Sequence, residues 1–409
     1  LTKTGVPLVA LGGATPHIQT GVSVIANTSK ISAVGAILEL QNISYTDPNP
    51  QLQLTESRTT VTGTSSLIEV KSGTSSIAGP LIKSSGGTMT VSNGPFNPMG
   101  TMPGGGLLDV KQGSSLEHTA ATALLIAEHT NLTLDRGLVT VDRGELATIA
   151  SQPLAIIARG THSIATVPGS ALFEIHGTTA DNYGLGTDQP LHGGRPGTPA
   201  ALAASLLEAT GAIITTESAV KVDRALLNAT QPLLELKGNS HMTASASVIT
   251  LTRGGQIVGT GDYLVGLDFS RVTIQNGSFL DLVGTNRVNV QGDLLVLRNG
   301  SIVTLASPTN GFLISASGAS VVEILGSLVR FEGTGGNAIR VANTLTPTNT
   351  VNGIPVRLTG GATASQVIIE GTPIKNPALG TITNLEGGTF KGSLINIEGT
   401  QAKVTIRGR

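Results

Sequence analysis

A short phrase recurs along the whole chain: two apolar residues, one free position, then a third apolar residue. Leu233-Leu234-Glu235-Leu236-Lys237-Gly238 is a clear copy. Leu234 and Leu236 fall on one side of an extended chain and Glu235 and Lys237 on the other, because successive side chains of a strand alternate faces. Gly238 then permits a corner that a Cβ would resist. Further copies are Leu67-Ile68-Glu69-Val70, Leu107-Leu108-Asp109-Val110, Leu172-Phe173-Glu174-Ile175, Phe279-Leu280-Asp281-Leu282 and Leu394-Ile395-Asn396-Ile397. A chain written this way reads as strands stacked coil upon coil.

The spacing supports that reading. Copies at Leu8, Ile37 and Leu67 start 29 and 30 residues apart; Leu233 to Leu264 spans 31 and Leu264 to Leu294 spans 30. Secondary copies at Leu81, Leu172, Val248, Phe279 and Phe312 fall near half that interval. Two arrangements fit: two strand-turn modules of about 15 residues per coil, or three strands per coil. Asn276-Gly277 and Asn299-Gly300 suit the left-handed corners of a parallel coil, since one phrase keeps returning where hairpins would alternate.

A length of 409 residues would ordinarily suggest two or three domains, but a solenoid grows by adding coils. Hydrophobic residues make up 39% of the chain and aromatics only 2%, so the apolar set is mainly Val, Ile, Leu and Ala. That mixture suits a narrow interior in which large rings would not fit. The net charge is −1 with no basic block, which argues against a nucleic-acid partner. No apolar run approaches the roughly 20 residues of a membrane span. Cysteine is absent, which excludes disulfide and cysteine-metal staples. The chain starts at Leu1 without a signal-like segment and reads as a processed product or a fragment.

Three stretches break the rhythm and read as loop insertions: 87–106, 178–198 and 343–354. The second is the longest polar stretch, and its Tyr183, Asp188, His192 and Arg195 are candidate contact residues, because irregular loops commonly carry recognition. Thr198 and Pro199, with Gly211 beyond, predict a short helix through Ala200–Ala204 running into a strand at Ser205–Glu208.

The third position of the phrase is often acidic: Glu39, Glu69, Asp109, Glu174, Glu208, Glu235 and Asp281. Stacked at about 4.8 Å, such carboxylates repel unless a cation such as Ca²⁺ sits between them. The plainer expectation is a solvated face, and no calcium-loop motif is present. Asp262 and Asp268 flank Tyr263 and form the best candidate for a polysaccharide-cleaving groove. The seven His are scattered, with no serine-nucleophile elbow and no paired-His metal motif. We therefore expect no catalytic, metal or cofactor residues, and no enzyme.

Leu294-Leu295-Val296-Leu297-Arg298-Asn299-Gly300-Ser301-Ile302-Val303-Thr304-Leu305 resembles the Gly/Ser/Thr/Asn-rich β-helices of filamentous haemagglutinin-like and autotransporter-passenger proteins. The resemblance implies a secreted, adhesive or structural surface protein. The expected fold is all-β: one elongated right-handed parallel β-helix over 1–409. The expected function is a structural subunit of an extracellular filament, sheath or surface layer. Its copies would polymerise head-to-tail where Leu8, Val9 and Leu11 at one end meet Val404 and Ile406 at the other. Its partners are then copies of itself, with cell-surface or glycan ligands as further candidates. A monomeric adhesin and a β-helical lyase or hydrolase are the alternatives.

Overall fold

The computed structural model describes residues 24–93, 106–177 and 205–408 apart from short breaks, together with the backbone of short strands between 2 and 18 and at 200–202. Among the described residues there is no helix; the chain is all-β and its strands stack in parallel. The described residues form two compact units, one ending at Glu217 and one beginning at Ser218.

In the C-terminal unit one coil supplies four strands: Leu234–Lys237, His241–Ala244, Ile249–Thr252 and Gln256–Gly259. Each pairs in parallel with the equivalent strand of the next coil, Leu234 opposite Val265, His241 opposite Arg271, Ile249 opposite Leu280 and Gln256 opposite Arg287. Four sheets result, called first to fourth in this order. The repeat is therefore two modules per coil, and each module makes two strands. The phrase occupies the first and third sheets, which is why it returns at half the coil interval. Its inward positions build rows such as Leu236, Leu267, Leu297 and Phe331, all fully buried. Each fully buried aliphatic side chain contributes about 1.5–3 kcal/mol. Large rings do enter this interior: Phe173, Phe279, Phe312 and Phe331 are fully buried, contrary to the compositional expectation.

The N-terminal unit repeats the plan. In its third sheet Val9–Gly12, Leu38–Gln41, residues 68–70, Leu108–Val110, Val139–Asp142 and Ala171–His176 follow one another in parallel. Register intervals reveal the insertions. In the first sheet Leu52 faces Ile82 after 30 residues, Ile82 faces Leu125 after 43, and Ala155 faces Leu207 after 52. The first insertion begins after Asn93, because Thr88–Asn93 is a paired strand. Residues 178–198 lie outside the described residues, and the third stretch includes the strand Asn349–Val351. The helix predicted through 200–204 does not form at Ala200–Leu202, which is a strand, with Leu202 opposite Thr148. Ladder pairing supplied by the preceding coil outweighs a weak local helix propensity.

Corners between the first and second sheets are left-handed: Glu56, His129, Arg159 and Asn299 have φ of 46°, 52°, 49° and 54°. Behind them runs a buried hydroxyl ladder. The Ser240 amide donates to Ser270 Oγ (3.2 Å), the Ser270 amide to Ser301 Oγ (3.1 Å), and the Ser301 amide to Asn337 Oδ1 (2.9 Å). The next coil thus adds an acceptor to each of these buried turn amides, of which Ser240 and Ser301 also donate within their own turns to the Lys237 and Arg298 carbonyls (both 3.2 Å).

Among the described residues of the C-terminal unit, coils stack in chain order except at one place. Strands Ile395–Glu398 and Lys403–Ile406 lie between older layers. The first pairs with Ile314–Ser317 on one side and Ile354–Thr359 on the other; the second pairs with Val321–Ile324 and Gln366–Ile369. Asn349–Val351 then adds antiparallel to Ile354–Thr359.

Candidate functional site

The acidic positions of the phrase stack in the third sheet of the N-terminal unit. Glu39 faces Glu69, Glu69 faces Asp109, Asp109 faces Thr140 and Thr140 faces Glu174. The expected solvated face is not what this row makes: Glu69, Asp109 and Glu174 are only 4%, 3% and 1% exposed. Lysines two residues after the acids, hence on the same face, lie across the row. Lys71 Nζ sits 2.7 Å from Glu39 and 3.5 Å from Glu69. Lys111 Nζ sits 3.5 Å from Glu69 and donates to Asp109 Oδ2. The cation between stacked carboxylates is thus the chain's own ammonium group. Burial pushes the Asp109 carboxyl above the usual range, and Lys111 opposes that shift. Burial would lower the Lys111 ammonium, but Asp109 and Glu69 outweigh it and hold it raised.

At the end of this row Glu174 accepts from the Ala171 amide (2.9 Å) and lies 3.0 Å from His176 Nε2 and 3.4 Å from Arg136 Nη1. Burial alone would raise its carboxyl; these donors, His176 foremost, hold it below the ordinary value. Asp109 Oδ1 has no hydrogen-bond partner among the described residues. Every acid of the row outside Thr140's coil is nonetheless tied to a cation, so the arrangement neutralises charge and does not present an acid and a base to a shared cleft. Among the described residues no group of three or more His, Asp or Glu is placed to hold a metal ion.

A second cluster lies on the first sheet of the C-terminal unit. The half-buried Tyr263 donates its hydroxyl to Glu235, and the Arg298 guanidinium stands 4.9 Å from the ring centroid. Gly266 makes room for the ring, since a Cβ there would lie 2.6 Å from Tyr263 Cε2. Burial and then Glu235 push the Tyr263 phenol above its ordinary value. Arg298 continues to Glu332 (2.7 Å), Glu332 to Arg330 (3.0 Å), and Arg330 to Asp293 (3.2 Å). The sequence pointed to Tyr263 with Asp262 and Asp268 beside it; the phenol bonds neither of them but Glu235. Asp262 is exposed on a turn, and Asp268 accepts from Asn299 Nδ2 at 2.6 Å. The acid that meets the phenol, Glu235, comes from the preceding coil.

Other expected residues fall as follows. Leu8, Tyr183, Asp188, His192 and Arg195 lie outside the described residues. Val9 and Leu11 belong to a strand whose partner is Leu38–Gln41. Val404 and Ile406 are fully buried in a strand paired on both sides, so that strand offers no edge of its own. Lys71, Lys111 and Arg136 were not singled out from the sequence, although Glu69-Val70-Lys71 and Asp109-Val110-Lys111 carry the signal. No known protein family, curated protein or solved structure matches the chain. No helix among the described residues is long and apolar enough to cross a membrane.

Proposed function

We propose that the protein is a structural β-solenoid of an extracellular assembly, a filament, sheath or surface layer whose copies join by strand addition. The observation that carries this reading is the ladder Glu39, Lys71, Glu69, Lys111, Asp109. A face that neutralises its own charge coil by coil is suited to stacking at constant register, and it keeps its polar groups engaged with each other. The stacked hydroxyls at the corners favour the same role, because every added coil satisfies the one before it.

Electron microscopy of the purified chain over a concentration series tests the proposal. Ordered polymers with a regular axial repeat are expected, and removal of residues 1–12 is expected to weaken assembly while the strand content survives. Separate particles of one size at every concentration would overturn it. A monomeric glycan-binding surface protein is the second reading, favoured by the half-buried Tyr263 with Glu235 and Arg298 beside it, since an aromatic ring flanked by hydrogen-bonding groups suits a sugar.

A further inference from the structure

The out-of-order layer in the C-terminal unit is informative because its two neighbours fit each other. Ile395 lies between Ile314 and Val356, and Lys403 lies between Val321 and Gln366. Direct contact of the outer layers would place Val356 on Ile314 after 42 residues and Gln366 on Val321 after 45. The two other sheets of that turn show intervals within a residue of these: Ile374 lies on Val329 after 45 residues and Thr381 on Ala338 after 43. The residue patterns are interchangeable too. Val356-Arg357-Leu358 stands level with Ile395-Asn396-Ile397, and Val367-Ile368-Ile369 stands level with Val404-Thr405-Ile406. Coils 314–324 and 354–369 are therefore complete without the segment between them, and 394–406 occupies a slot.

The slot holds that segment from both sides. The Leu313 amide donates to the Leu394 carbonyl (2.9 Å), and the Leu394 amide donates to the Pro355 carbonyl (3.0 Å). The Lys403 amide donates to Ser320 (2.8 Å), and the Glu370 amide donates to Ile406 (2.7 Å). Leu394, Ile395, Ile397, Ala402, Val404 and Ile406 are all buried in it. None of these contacts depends on which copy supplies the strand. Ten residue steps separate Asn384, the end of the preceding strand, from Leu394. Such a connection reaches roughly 33 Å when extended, far enough to enter a neighbouring molecule.

We propose that this slot is a strand-exchange site, and that in the assembly its occupant is the 394–406 segment of a second copy. The inference rests on the self-assembly reading and gives it a defined contact. The same backbone bonds and buried side chains form in cis and in trans, so exchange loses no contact and is governed by concentration. It also moves the assembly role of Val404 and Ile406 from an end surface to an inserted strand.

The chain has no cysteine, so two introduced thiols report the slot without background. Ser317 and Glu398 are register partners across it, and neighbouring strands at about 4.8 Å allow a disulfide. Full-length Ser317→Cys and Glu398→Cys chains are mixed, carried together through urea unfolding and refolding at high concentration, and oxidised. A disulfide-linked heterodimer is expected, with none when Ser317→Cys is mixed with the unaltered chain. The double variant at low concentration is expected to close its disulfide within one chain. Failure of the heterodimer while the double variant closes overturns exchange, and failure of the double variant overturns the slot itself. Polymers seen by microscopy without the heterodimer would discard the exchange and leave the self-assembly reading standing.

Discussion

His162 shows how a single residue can oppose the fold that contains it. It sits inward on the second sheet between Leu132 and Ile214, about 1% exposed, and neither ring nitrogen has a hydrogen-bond partner among the described residues. Burial lowers its pKa to about 4 from an ordinary 6.5. The unfolded chain binds the proton more readily, so this contribution to stability is complete above pH 6.5 and is lost as the pH falls toward 4. The loss reaches about 2 kcal/mol at pH 5. His162→Leu restores the aliphatic row and removes an unpaired polar group. It is expected to stabilise the chain by about 1–2 kcal/mol at neutral pH and by more in acid. Urea unfolding of both chains at pH 7 and pH 5 measures both effects, and a variant whose advantage over the natural chain does not grow from pH 7 to pH 5 would refute the account. Thr161-His162-Ser163 gives no sign of this in the sequence, because three polar residues in a row hide which one faces inward. The acids of the phrase were legible; the lysines two residues later stood in the sequence but were not connected with them. The sheet to which each acid belongs was not, because the phrase is written alike in the first and third sheets and insertions of unmarked length reset the count.

At the scale of the strand, the buried ladder makes its own prediction. Lys111 faces Glu69 and Asp109, whose side chains are each 5% exposed. Removing one partner of a buried ion pair leaves the other charge uncompensated and costs about 3–5 kcal/mol, whereas removing both is far milder. Lys111→Met is therefore expected to destabilise by about 3 kcal/mol at pH 7, and adding Asp109→Asn is expected to recover part of the loss. The pH dependence carries a definite sign. Asp109 already has a raised pKa, so acid neutralises it early in the folded state, and the deficit of Lys111→Met should shrink as the pH is lowered. A deficit that stays constant or grows would mean that the lysine acts through packing of its stem alone. Strands themselves were readable because alternation and the recurring phrase agree. The number per coil was not, since the second strand of each module, such as His241–Ala244, carries His and Thr beside its apolar residues and does not repeat the phrase. The buried serine that precedes the phrase in Ser66-Leu67, Ser247-Val248, Ser278-Phe279, Ser327-Leu328 and Ser393-Leu394 was visible but has meaning only once coils are stacked. The helix expected near Ala200 failed for a related reason: local propensity does not include the hydrogen bonds that a finished coil offers to the next.

Over the described residues of the whole chain, buried titratable groups are unevenly shared between the two units. His118 and His162, both with pKa lowered to about 4 by burial, belong to the N-terminal unit, as do the stacked Glu69 and Asp109 and the donor-held Glu174. The last adds a second acid sensitivity, because a carboxyl held below its ordinary value contributes stability above that value and loses it as the pH falls further. Asp109, raised by burial, runs the other way and offsets part of this. In the C-terminal unit the described interior rows are mainly aliphatic with Phe279, Phe312 and Phe331, its buried acids Asp223 and Asp293 are paired with arginines, and Asp281 has a raised carboxyl that acid relieves. A repeat array is held by nearest-neighbour contacts, so its parts can open separately. Two imidazoles each losing about 2 kcal/mol at pH 5 amount to a large share of the 5–15 kcal/mol that stabilises an ordinary domain. The N-terminal unit is therefore expected to open first. Hydrogen exchange followed by mass spectrometry at pH 7 and pH 4.5, corrected for intrinsic rates, should show protection lost across 106–177 while 218–341 remains protected. Introducing His162→Leu with His118→Leu should bring the two regions back together. Simultaneous loss of protection in both regions would show that they unfold as one cooperative body, and the acid response would then belong to the chain as a whole.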